Sequence, residues 1–440
     1  MRSPLEMPVV ELARRIGARE LSAREVVGAH LDRIAEVDPV LNALVQVRAE
    51  AALADADAAD RDLARGRSRG PLHGVPFTVK DWIDATGLRC AGGQKAHRDR
   101  VPARDATAVA RLRAAGGILL GKTTVGPDNS LYGRTNNPYD AQFGPAGSSS
   151  GEAAIVGAGG SPLGLGSDSG GSIRQPAHCC GVAGLKPTAG RVPLTGHFPF
   201  ISPTADPRTV IGPLARYVDD LALALRLIAG PDGADPSAVP VPLGEPAEAA
   251  LAGVRVASYV DHPGTAPDPA MVAATEAAAA ALRDAGLAVE PATPPGLDRV
   301  YPLTLDYWRR PESDSMDEWV NGGSYDPAGL GPMSGEDVER SLFEWERFRR
   351  LMLPFIQAYP LVLSPAAEKP PVRHGEDEGR IPYTLTWSLV GYPAVVVRAG
   401  GTADGLPVGV QIAAGPWRED LALAAASIVE RALGGWRPPD

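Results

Sequence analysis

The sequence predicts an α/β fold in a single large domain. Helix-patterned segments closed by glycine alternate with short apolar runs rich in β-branched residues, as around 116–120 and 286–289. The composition is ordinary for a globular chain, 44% hydrophobic and 22% charged, with 50 Gly and 43 Pro supplying many turns. No internal repeat and no clean linker divides the 440 residues, so the length is read as one unit.

Residues from about Val9 to Ala64 read as helices. Ser22-Ala-Arg-Glu25 is a capping box ahead of Val26, Val27, Leu31 and Ile34, which share one face. Asp38-Pro39 is expected to end that helix, and the alanine-rich run from Glu50 begins another. Val75 to Val79 is a β-rich run that places Lys80 at a strand end. Taken alone, Lys80 reads as a surface lysine, although a lysine desolvated behind a buried strand can become a base. Thr107 to Ala115 reads as a helix, and Ile118-Leu119-Leu120 as a buried strand. Gly116 to Thr123 spells the phosphate-loop pattern G-x-x-x-x-G-K-T. A helix precedes it, however, and three large apolar residues fill the loop, so the reading is structural.

Further along, Tyr217 to Ala229 reads as an amphipathic helix, and 231–250 as a surface connection rich in Pro and Asp. A strand is expected at Val254 to Ala257. Asp268-Pro269 then caps a helix ending near Gly286, and a strand resumes at Leu287 to Val289. Tyr307, Trp308, Arg309, Trp319 and Trp345 read as packing before they read as a pocket rim. Strands are expected at 361–365, 393–397 and 407–412, and a helix from Asp420 to Leu433.

The net charge of −10 argues against nucleic-acid and anionic-membrane partners, which attract basic surfaces. The first residues carry no apolar signal region, and no run is long enough to span a bilayer. Three cysteines, Cys90, Cys179 and Cys180, two of them adjacent, suit a reducing, cytoplasmic setting.

The chemistry concentrates between Phe143 and Thr188, where two serine clusters are each embedded in glycine. Glycine lets a backbone approach a ligand closely, and successive amides make anion-binding concavities. A serine among such amides holds a nucleophile and an oxyanion site in a few residues. Gly147 to Gly151 matches the nucleophile elbow G-x-S-x-G, but no strand precedes it, and His197, His262 and His374 lack a telling context. The S-x-x-K pattern is absent from the chain.

A third scheme fits. Gly147-Ser-Ser-Ser-Gly151, then Gly166-Ser-Asp-Ser-Gly-Gly-Ser172-Ile-Arg-Gln-Pro176, then Cys180-Gly-Val-Ala-Gly-Leu-Lys-Pro-Thr188 closely resemble the core of the amidase signature family. Gly74 to Asp81 and Gly405 to Gln411 are similar to its lysine segment and its C-terminal strand, so the resemblance spans nearly the whole chain. It implies a central mixed β-sheet with helices on both faces. Within this, 1–65 would be an N-terminal helical layer, 70–230 the core, and 250–440 the remaining sheet and pocket region. It also implies a Ser-Ser-Lys hydrolase with Ser172 as nucleophile, Ser148 as a bridging serine after a cis peptide, and Lys80 as base. Ser148 and Ser172 lie 24 residues apart, the family spacing, with Ser149 the competing register. The amides of Ser169, Gly170, Gly171 and Ser172 would form the oxyanion hole, while Asp168 and Arg174 brace the loop. No cofactor and no metal are implied.

Two departures bear on the pocket. Ala146 and Ser150 stand where glycine is usual, and the stretch from Lys122 to Asn137 is short, which predicts a more open acyl pocket. The expected activity is hydrolysis of a small-molecule amide, with no nucleic-acid or membrane partner and a homodimer left open. Carbamate or ester hydrolysis is chemically adjacent. An amidotransferase subunit is disfavoured because the Y-G-L-[IV]-x-[FY]-A-S-S-L-D-Q stretch is missing after Arg191-Val192, and intact Lys80, Ser148 and Ser172 argue against an inert binding protein.

Overall fold

Along the strand that begins at Ala394, Val395 and Val397 pack into one apolar cluster while Val396 packs into another. The same split separates Leu119 from Ile118 and Leu120, and Ile211 from Leu214. A side-chain period of two therefore feeds a core on each face of one sheet. The computed structural model describes residues 3–201, 206–246, 251–309, 329, 331 and 333–439, so Trp319 lies outside the described residues.

In chain order the chain forms α1 (Val9–Gly17), α2 (Ala23–Leu41), β1 (Leu44–Val47), α3 (Ala49–Ala64), β2 (Pro76–Lys80), α4 (Thr107–Ala114) and β3 (Ile118–Thr123). A small hairpin of β4 (Asp128–Asn129) and β5 (Gly133–Arg134) precedes α5 (Ser150–Gly157), β6 (Leu163–Asp168) and α6 (Arg174–Cys179). Then come β7 (Ala183–Lys186), β8 (Val210–Ala215), α7 (Val218–Ile228), β9 (Arg255–Ser258), α8 (Pro269–Asp284) and β10 (Ala288–Pro291). The last part holds α9 (Val300–Trp308), α10 (Gly335–Ala358), β11 (Leu361–Pro365), α11 (Pro382–Val390), β12 (Ala394–Gly401), β13 (Pro407–Ala414) and α12 (Glu419–Leu433).

Eleven strands make one mixed sheet in the order β1-β3-β2-β6-β8-β7-β12-β13-β11-β9-β10. The β3-β2-β6 and β11-β9-β10 neighbours are parallel, and the strands between β6 and β11 pair antiparallel. Residues of α1, α4, α7, α8 and α12 join one cluster against the sheet. Those of α2, α3, α5 and α6 join the opposite one, and α9, α10 and α11 carry a third. The expected single α/β domain with helices on both faces is what forms.

Two expectations for the N-terminal region need correction. The stretch from Val9 to Ala64 is not all helical, because Leu44–Val47 adds an edge strand antiparallel to β3. Nor does Asp38-Pro39 stop α2, which runs on to Leu41 with Pro39 inside it. Proline forfeits only its own N–H, so the last turn survives, and it closes at Asn42 in the left-handed region. The Asp38 carboxylate accepts the amides of Ala43 and Leu44, which turns the chain into β1. The Ser22 capping box forms as expected.

Candidate active site

The site assembles where β2 and β6 run side by side. Lys80 is the last residue of β2, and its side chain is fully buried. Its Nζ lies 2.7 Å from Ser148 Oγ, and 3.2 and 3.3 Å from the hydroxyl and carbonyl of Ser167 on β6. The Trp82 ring centroid stands 4.2 Å from the same nitrogen. Burial drives the Lys80 ammonium well below the usual lysine range, against the opposing pull of Asp168 and Glu152.

The first serine cluster resolves cleanly. Ser148 follows a cis peptide bond after Gly147, and its carbonyl accepts the amide of Gly126 at 2.8 Å. Ser149, the competing register, is fully buried; its hydroxyl donates to the Ser167 carbonyl and its amide to the Ser172 carbonyl. That amide contact draws the two serine clusters together, with Ser148 and Ser172 both half-buried beside it. The short 122–137 segment folds as the β4–β5 hairpin and reaches the site through Gly126. A cavity of about 100 Å³ opens beside Gly147, lined also by Ala146, Gln175, Glu378 and Ile381.

The second cluster is a loop braced from below. Asp168, at the end of β6, accepts the amides of Gly171, Ile173 and Arg174 and pairs with the Arg174 guanidinium at 2.9 Å. Burial alone would raise the Asp168 pKa, but Arg174 and these hydrogen bonds outweigh it and hold the group ionised. Arg174 also donates to Thr384 O, Gln411 Oε1 and Ser388 Oγ. Gly171 has φ +145°, and a Cβ there would lie 2.6 Å from Thr384 Oγ1, so only glycine fits. The Gly171 amide is committed to Asp168, whereas those of Gly170 and Ser172 have no acceptor among the described residues. The bracing expected of Asp168 and Arg174 is therefore visible in the contacts themselves.

Several participants were not singled out by the sequence. Ser167 stands inside the G-S-D motif and so was within reach. Trp82, two residues past Lys80, was equally close. Glu152 is buried in α5, takes hydroxyl donors from Thr78 and Thr123, and is raised by burial to about 7. Lys122 of the phosphate-loop look-alike is fully buried on β3 and donates to the carbonyls of Lys80 and Ile83, which bears out its structural reading. Tyr307 and Trp345 are buried with the α9 and α10 core, as packing predicts.

Residues 25–318 and 333–423 match the family model described as Amidase. The chain belongs to the amidase signature family. An indoleacetamide hydrolase of Bradyrhizobium diazoefficiens is 35% identical, covering 97% of this chain and 86% of that one. An acylamidase of Rhodococcus erythropolis is 34% identical over 96% of this chain and 95% of its own. The amidase component of a glutamyl-tRNA(Gln) amidotransferase from Salinispora arenicola is 33% identical over 98% of both. Among solved structures, 6-aminohexanoate cyclic dimer hydrolase complexed with substrate superposes with a TM-score of 0.86 at 27% identity, covering 99% of each chain. This amidase is thus an amide hydrolase whose family fold extends along nearly its entire length.

Proposed function

We propose that the protein cleaves a small-molecule amide to a carboxylate and ammonia or an amine through a Ser172 acyl-enzyme. The observation that carries the reading is a fully buried, deprotonation-prone Lys80 hydrogen-bonded to Ser148 at 2.7 Å. A serine hydroxyl is a weak nucleophile until a positioned base removes its proton, and a lysine can do so only as the neutral amine. Ser172 Oγ attacks the carbonyl carbon, its proton passes to Ser148 Oγ, and the Ser148 proton passes to Lys80 Nζ. The same relay in reverse protonates the leaving nitrogen as the C–N bond breaks. Water then attacks the acyl ester along the same path and releases the acid.

Negative charge on the tetrahedral oxygen falls to the loop amides at Ser169, Gly170 and Ser172, with Gly171 shaping the turn through its bond to Asp168. The cavity beside Gly147 is suited to one substituent of the substrate, and the short 122–137 segment would leave the acyl side open. Carbamates and esters pass through the same intermediate and are the nearest alternatives. Resemblance to the amidotransferase component supports a second reading, against which stands the missing motif after Arg191-Val192; stable co-purification with a partner protein would favour it.

A fluorophosphonate probe tests the central assignment. Intact mass should show one adduct on the native protein and none on Ser172→Ala; an adduct that survives Ser172→Ala overturns it. Turnover across matched amides, anilides, carbamates and esters then identifies the acyl class.

A further inference from the structure

The loop from Asp168 to Ser172 is held from a second side by residues outside the family core motifs. Ser169 Oγ lies 2.6 Å from Thr209 Oγ1, at the start of β8, and Thr209 Oγ1 in turn donates to Asp206 Oδ2 at 2.8 Å. With the Thr209 proton so committed, the Ser169 hydroxyl is the donor in the first bond. The other Asp206 oxygen accepts the Arg208 amide and Nε at 3.0 and 2.9 Å. Asp206, Arg208 and Thr209 are all buried. The Arg208 guanidinium stacks on the Tyr307 ring of α9, 3.4 Å from its centroid, and the Tyr307 side chain also bonds to Asp206.

We propose that Thr209 and Asp206 are positioning residues for hydrolysis, orienting the oxyanion-binding loop through the Ser169 side chain. The proposal rests on the acyl-enzyme reading above. Buried charge-assisted chains of this kind are rigid because each member is satisfied in only one arrangement. Ser169 has no other side-chain partner among the described residues, so the Thr209 contact sets its rotamer. Fixing that side chain limits rotation of the Ser169–Gly170 peptide, which lies one residue before the strained Gly171. On the opposite side, the Gly170 carbonyl accepts Thr384 Oγ1 at 2.7 Å, so the peptide is clamped between two hydroxyls. The clamp acts on loop geometry without touching substrate. Its effect belongs in the step where oxyanion charge develops, and little in ground-state binding.

The test is steady-state kinetics on p-nitroacetanilide with Thr209→Val, Thr209→Ser, Ser169→Ala and the Ser169→Ala/Thr209→Val pair. Thr209→Val and Ser169→Ala should each lower kcat by roughly 10–100-fold, below the 10²–10³ of a lost oxyanion donor, with KM within about three-fold. The pair should be no slower than either single variant, because both remove one contact. Thr209→Ser should restore kcat to within about three-fold of the wild type. Losses that multiply in the pair, or wild-type kcat in Ser169→Ala, overturn the proposal. Ser169 is half-buried and its variant keeps every backbone amide, so it decides the matter should Thr209→Val fail to fold. Fluorophosphonate labelling of Ser172 in the same variants separates the two claims. A labelled, active enzyme unaffected at Ser169 sinks the clamp alone, whereas a wild-type protein unlabelled at Ser172 sinks the acyl-enzyme reading.

Discussion

A lysine acts as a base only where its ammonium form is penalised, and Lys80 is buried at a strand end with hydroxyls and one carbonyl as its near polar neighbours. Lys80→Ala should lower turnover at neutral pH by about 10²–10⁴-fold, the range of a lost general base. Because the neutral amine is the working form, the rate should rise with pH through the depressed Lys80 pKa and level off well below 10.5. A rate that still climbs up to pH 10 would remove Lys80 as the base. Glu152 offers a separate check on the same buried region. Its folded pKa, about 7 against an ordinary 4.5, is raised, so its contribution to stability is full below 4.5 and is lost as pH rises through 7. At about 1.36 kcal/mol per unit, that loss is at most about 3 kcal/mol. Glu152→Gln carries no such titration. Urea unfolding at pH 4.5 and pH 8 should therefore show the wild type losing ground to the variant at the higher pH.

Helix termini and strands differ in how openly the sequence declares them. The α2 start was legible because a capping box is a local pattern, but its second cap was not. Asp60 of α3 accepts the amides of Ala23 and Arg24 at 2.7 and 3.0 Å. Ser22→Ala should consequently cost only about 0.5–1 kcal/mol, and Asp60→Ala about 1–2 kcal/mol, in urea unfolding with kcat unchanged. Equal losses would mean that Asp60 adds nothing. The strands β6, β7 and β8 escaped the reading because glycine and proline occupy them, and both usually argue against a strand interior. Their reasons are tertiary. A Cβ at Gly184 would lie 2.8 Å from Ala177, so glycine lets α6 pack flat on β7. Pro213 pairs with Leu165 of β6, but the β7 pairing covers only Leu214 and Ala215, so the proline sits where that neighbour has departed. The apolar strands without such demands, β2, β3, β11 and β13, were visible as runs.

At the scale of the whole molecule, the serine stretch and Lys80 were readable because they carry the family's contiguous motifs, whereas the groups that hold them come from far along the chain. Thr384, Ser388 and Gln411 meet Arg174 across more than two hundred residues, and no local pattern announces such contacts. Arg174 is the fastener between the catalytic loop on β6 and the later half of the sheet. It is fully buried, and its partner Asp168 is equally so. Removing one member of a buried pair strands the other charge, a loss of about 3–5 kcal/mol, whereas removing both relieves much of it. Arg174→Leu should therefore lower stability by about that amount and abolish turnover, since Asp168 also organises the Gly171 turn. Asp168→Leu/Arg174→Leu should recover a substantial part of the stability in urea unfolding while remaining inactive, because the loop amides lose their common acceptor. If the double variant is as unstable as Arg174→Leu, the pair is held by its surroundings and not by mutual compensation. If it is active, the loop is shaped without Asp168, and the bracing of the site must come from Thr384 and Thr209 alone.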